Sequence, residues 1–220
     1  MGSTNWKITS CLALGAVLTA ALGAAEPNPK ITGFIYNYAA IPFGVLAQTE
    51  AEAARILHSA GVDIQWLDCP LSPRDIDRFS DCQPGPTRLA LRILPQTMAG
   101  RLRQVEGSFG FAVIPEDGTF GTVANTFAHD AEQLANRRGV PQGVMLGHVV
   151  AHEIGHLLLG AGIHSTSGIM HDRWRLKELA IIAQGKMLFT PAEARGLRTN
   201  IRARMAAEEA AARRSFLENR

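Results

Sequence analysis

His152, Glu153 and His156 stand together in the run His-Glu-Ile-Gly-His. A spacing of four residues puts the two imidazoles one turn apart on one face of an α-helix. From there both can reach one zinc ion at roughly 2.0–2.1 Å. Glu153 is angled around the same helix towards the same metal. A carboxylate so placed takes a proton from the activated water and passes it to a leaving amine. The surrounding residues Val144, Val149, Val150, Ile154, Leu157 and Leu158 make the helix apolar nearly all round, the mark of a buried helix. Unpaired polar groups in such a helix are costly, and a metal gives these three a reason to be there. His148 lies one turn earlier on the same face and is expected beside the cleft, not on the metal. His58, His129 and His171 have no supporting spacing.

The chain then continues Gly160-Ala161-Gly162-Ile163-His164. Gly160 can end the helix in a conformation that other residues adopt only at a cost. Gly162 lets the chain fold back, and His164 is then placed to be the third protein ligand. A catalytic zinc commonly has three protein ligands and keeps a fourth position for water. Met170 ends a short turn that starts at Ser167.

These residues resemble the metzincin clan of zinc peptidases, whose signature is His-Glu-x-x-His-x-x-Gly-x-x-His followed by a methionine-bearing turn. The segment is also similar to short secreted bacterial proteins with His-Glu-x-Gly-His-Leu-Leu-Leu-Gly. The match covers residues 148–170. It departs from the clan in having three residues in each arm of the turn, Leu157 to Leu159 and Ala161 to Ile163, so His164 follows His156 by eight residues. The resemblance implies one catalytic Zn2+ on His152, His156 and His164, Glu153 as general base, Gly160 as the helix-ending glycine and Met170 as the structural Met-turn. It also implies an edge strand above the cleft that binds extended peptide by backbone pairing. Residues 121–127 are the candidate, with Ala124 and Asn125 as substrate-binding residues. Trp174, just after the Met-turn, falls where the clan has the wall of its main specificity pocket. Glu178 is the alternative third ligand: in gluzincin-type enzymes a glutamate some twenty residues downstream fills that place.

Several elements must position these groups. Residues 31–38 read as a first strand. Residues 41–60 read as a helix with Leu46, Thr49, Ala53, Ile56, Leu57 and Ala60 on one face, ended by Gly61. Strands follow at 62–67, 88–94 and 109–114, with 119–129 as a fifth strand or edge ribbon. A short helix at 130–137 leads into the active-site helix at about 142–159. Asp172 is expected to cap a helix over 173–183. Thr190, Pro191 and Glu193 form a capping box that opens the last helix. The order predicts an α+β fold: a twisted mixed sheet of about five strands, a backing helix, an active-site helix and a helical C-terminal part.

The first 25 residues read as a secretory signal, with Lys7 before an apolar run and Gly23-Ala24-Ala25 before the expected cut. The apolar run is too short for a membrane span. Residues 26–220 then form one catalytic domain, an upper part to about 160 and a lower part beyond. Cys69 and Cys82 remain after the leader, and an exported pair reads as a disulfide. The net charge of +2 implies no nucleic-acid partner. The sequence therefore predicts a secreted or periplasmic zinc endopeptidase, monomeric, without a stable membrane anchor, acting on peptides or proteins. The contrasting expectation, from another class, is a zinc-binding protein without turnover. Glu153 speaks against it, because a structural zinc site fills its fourth place with protein.

Overall fold

A computed structural model describes residues 26–72, 82–102, 108–117, 119–160 and 162–218. The expected leader lies outside these residues. The fold is α+β, built on one mixed five-stranded sheet. Its strands are β1 (Lys30–Asn37), β2 (Asp63–Asp68), β3 (Arg88–Leu94), β4 (Gly110–Val113) and β5 (Val123–Phe127). Their spatial order is β2-β1-β3-β5-β4, all parallel except β4, which runs antiparallel to β5. The apolar residues of β1 and β3 explain their central place: Phe34, Ile35, Leu89, Leu91 and Ile93 are fully buried.

Helix α1 (Phe43–Ser59) connects β1 to β2 and buries Leu46, Thr49, Ala53, Ile56 and Leu57; Ala60, the last residue of the face read from the sequence, is buried as the C-cap just beyond it. α2 (Gln96–Leu102) follows β3, and α3 (Ala128–Asn136) follows β5 directly. α4 (Gln142–Leu159) runs through the core, with Met145, Leu146, Val150 and Ile154 wholly enclosed. α1 and α4 pack closely because α4 meets it with glycines. A Cβ on Gly143 would stand 2.7 Å from the Val45 carbonyl oxygen, and one on Gly147 2.8 Å from that of Thr49. Interaxial distance follows the size of the side chains at the contact, and at 143 and 147 α4 contributes none. α5 (Leu176–Ala183) and α6 (Pro191–Glu218) complete the chain.

α6 opens with the expected capping box: the Thr190 N–H donates to Glu193 at 2.7 Å, and the Glu193 N–H donates to the Thr190 hydroxyl at 3.3 Å. Further along, α6 closes the end of α4. Asn200 donates to the Leu158 carbonyl at 2.6 Å, and Arg204 donates to the Leu157 carbonyl. The carbonyls at a helix end have no partner within the helix, and these two find theirs on another element.

Three expectations are corrected. The ribbon at 119–129 is not an edge. β5 lies between β3 and β4, so Ala124 and Asn125 have neighbours on both sides and are 1% and 3% exposed. The edge strand on this side of the sheet is β4. Asp172 does not cap α5; the helix starts later, at Leu176, with Arg175 as the N-cap residue. Finally, α2 is a helix that the sequence reading left out.

Candidate metal and catalytic site

α4 delivers His152 and His156, and the glycine-bearing turn behind it delivers His164. The ring nitrogens of the three histidines lie within 4.8 Å of one another. The His152 Nδ1–H donates to the Ile169 carbonyl at 2.7 Å. That bond fixes the tautomer and leaves the Nε2 lone pair free for a metal. His152 Nε2 then faces His156 Nε2 at 3.0 Å. Burial is the main cause that pushes the His152 pKa down to about 3, and it pushes His156 down to about 4, with His164 adding to the effect. Both rings are therefore neutral at ordinary pH. Three imidazoles converging on one point form a donor set that fits zinc, the fit that the buried helix required.

The turn that carries His164 depends on its glycine. Gly160 has φ 120° and ψ 162°, a region open in practice to glycine, and its N–H still donates to the His156 carbonyl at 2.9 Å. The next turn is tight: the Ser165 N–H donates to the Met170 carbonyl at 2.9 Å, and Gly168 has φ 78°. This turn presents the Ile169 carbonyl to His152 and packs Met170, fully buried, beneath α4. Met170 is therefore a packing residue under the site. Its neighbour in space is Gly155, which has no side chain to block it.

Glu153 is 4% exposed, and its Oε2 has no hydrogen-bond partner among the described residues. Burial alone raises its pKa to about 8. An unpartnered buried carboxylate beside three converging imidazoles is poised for a cation and for a proton.

The histidines and Glu153 sit in a cleft of about 720 Å3. β4 forms one wall with Gly110, Phe111 and Ala112, and Phe109, Val149 and Trp174 form an apolar recess. Trp174 is 8% exposed, stacks on Phe109 at 6.1 Å and meets His152 edge-on at 5.7 Å. His148, fully buried behind the cleft, lies 2.9 Å from the Val144 carbonyl and 3.5 Å from Glu52 on α1, consistent with a neighbouring and not a liganding role. Ala124 and Asn125 are not among the residues that line the cleft.

Glu178 does not join the cluster. Its carboxylate accepts the Arg175 N–H at 2.9 Å and closes the start of α5. Cys69 and Cys82 are joined in a disulfide. Among the described residues no helix is long and apolar enough to cross a membrane. Sequence reasoning missed Gly110 and placed the edge strand one step too far along the chain. The signal was present in Phe109 to Val113, an apolar run short enough to be an edge.

No protein-family model matches the chain, and no curated protein does. Among solved structures it is similar to the crystal structure of a zinc-dependent peptidase from Methanocorpusculum labreanum (strain Z). The two are 14% identical, the match covers 76% of this chain and 99% of the other, and the TM-score is 0.48.

Proposed function

We propose that this chain is a zinc-dependent endopeptidase of metzincin type, exported from the cytoplasm. The observation that carries the reading is the convergence of His152, His156 and His164 beside the unpartnered carboxylate of Glu153. A structural zinc site has no use for that carboxylate. One zinc ion held by the three histidines would supply Lewis acidity, lowering the pKa of a water and polarising the substrate carbonyl. His152 is oriented for this by the Ile169 carbonyl. Glu153 accepts the proton of the attacking water and later delivers it to the amine of the leaving half. Close to a dication its carboxylate ionises more readily than burial alone allows, and the ionised form is the one that takes a proton.

β4 supplies the binding strand. Among the described residues nothing pairs with its outer side. The Phe127 N–H donates to the Phe109 carbonyl at 2.8 Å. Antiparallel ladders alternate, so Gly110 and Ala112 turn their N–H and C=O groups away from β5 and towards the open edge. An extended peptide can add there as a further strand. The apolar recess of Phe109, Val149 and Trp174 then takes a large apolar side chain of the substrate. The leader and the disulfide both support export.

The test is cleavage of unfolded casein by the purified protein, beside Glu153→Ala and a chelator-treated sample. Cutting by the parent alone is the expected result. One zinc bound per chain with no cutting by the parent would overturn the peptidase reading and favour a binding protein.

A further inference from the structure

We infer that Gly110 is a positioning residue: its missing side chain is what allows the edge strand to lie directly against the carboxylate of Glu153. The inference rests on the peptidase reading for its catalytic meaning, but its geometry stands apart from it. A Cβ on Gly110 would meet Glu153 Oε1 at 2.7 Å and Glu153 Cδ at 2.9 Å, and it would also press on the Asn125 carbonyl oxygen. Real Cβ atoms do not come that close to such groups, so something has to move. The Asn125 carbonyl belongs to the inner strand β5, pinned between two neighbours, and cannot yield. Glu153 is enclosed on a core helix. The element free to move is β4, paired on one side only among the described residues.

Two properties thus meet in one residue. Gly110 turns its peptide groups to the open edge, where a substrate strand would pair, and its bare Cα faces the proton acceptor. A substrate held on this edge is registered against Glu153 without an intervening methyl group. Any other residue at 110 swings the edge outwards and lengthens the path from the scissile bond to the carboxylate. Catalytic geometry is sensitive on the ångström scale, so such a shift costs turnover far more than binding.

The experiment compares Gly110→Ala with the parent in two ways. On a quenched peptide copied from a casein cleavage site, kcat is expected to fall at least about tenfold while KM and zinc affinity each stay within about threefold, the pattern of an interaction that counts in the transition state. Loss confined to KM, or a parental kcat, overturns the inference. The second measurement is a thermal double-mutant cycle on chelator-treated protein, which needs no activity. Gly110→Ala is expected to lower the melting temperature less in the Glu153→Ala background than in the parent, because the carboxylate it collides with is gone. Equal losses in the two backgrounds overturn the contact. Should the parent cleave no peptide, the peptidase reading falls and the cycle alone decides whether Gly110 makes room for Glu153.

Discussion

Gly155 and Met170 are fitted to each other. A Cβ on Gly155 would collide with Met170 Sδ and stand 3.2 Å from Met170 Cε and 3.0 Å from Phe189. The fourth residue of the His-Glu-Ile-Gly-His run is therefore set by the methionine under it, and the methionine's turn holds the carbonyl that orients His152.

Gly155→Ala should destabilise the protein and weaken zinc binding. Alanine gains up to about 1 kcal/mol of helix propensity over glycine, but overpacking a tight core costs typically 1–3 kcal/mol, so overpacking wins. Urea unfolding and competitive zinc titration check this. Met170→Leu, close in volume, should keep most of the activity and lose less than about 1.5 kcal/mol. A folded, zinc-loaded Met170→Leu protein without activity would give Met170 a direct chemical role.

His164→Ala and Glu178→Ala should separate cleanly. The first removes a ligand from the converging set and should weaken zinc binding by on the order of a hundredfold or more. The second removes only a helix cap and should lower stability by about 1 kcal/mol while zinc affinity stays parental. Competition against a fluorescent chelator reads both, and a parental zinc affinity in His164→Ala would remove that residue from the site.

Metal-free protein should show two opposed pH effects. The pKa values of His152 and His156 are depressed to about 3 and about 4, so between these values and 6.5 the unfolded chain binds more protons. Their contribution is present above pH 6.5 and fades as pH falls towards 4. The pKa of Glu153 is raised to about 8 from 4.5, so there the folded chain holds the extra proton. Its contribution is complete below pH 4.5 and is lost as pH rises through 8. Denaturant melts of chelator-treated parent and Glu153→Gln across pH 4–9 test the sign. The variant should lack the alkaline loss and keep the acidic one.

Arg204→Met should cost about 3 kcal/mol. Arg204 is 3% exposed, and its guanidinium donates to the carbonyls of Pro86 at 2.8 Å, Gly121 at 3.0 Å and Leu157, with the Phe120 ring 4.7 Å away. Losing it leaves several buried acceptors without donors, at roughly 1–3 kcal/mol for each one water cannot reach. Lysine has no planar fork and should restore only part of the loss. Stability by urea titration and zinc affinity are the readouts.

The sequence was most legible where the signal was local. The helix of His152 and His156 was readable from its apolar residues, and the box at Thr190 and Glu193 from spacing alone. Glu178 was ambiguous because its partner is a backbone N–H at Arg175, and arginine is not a residue that announces a cap. The place of β5 was hidden for another reason. The sequence marks residues 119–129 as a strand or ribbon, but strand order comes from pairings with distant segments. Gly110 went unnoticed because a lone glycine within a short apolar strand carries no signal of its own, and its use is visible only with Glu153 beside it.

Arg204 and Asn200 also put the site on a timetable. A ribosome makes Pro86 and Gly121 first, then the three histidines, and only afterwards the two side chains that cap the carbonyls of Leu157 and Leu158. A nascent chain thus carries all three clustered histidines before it carries the brace that finishes the helix of two of them. A half-made molecule has the histidines without the support, so the last helix to emerge brings the partners that the carbonyls of Leu157 and Leu158 find on α6.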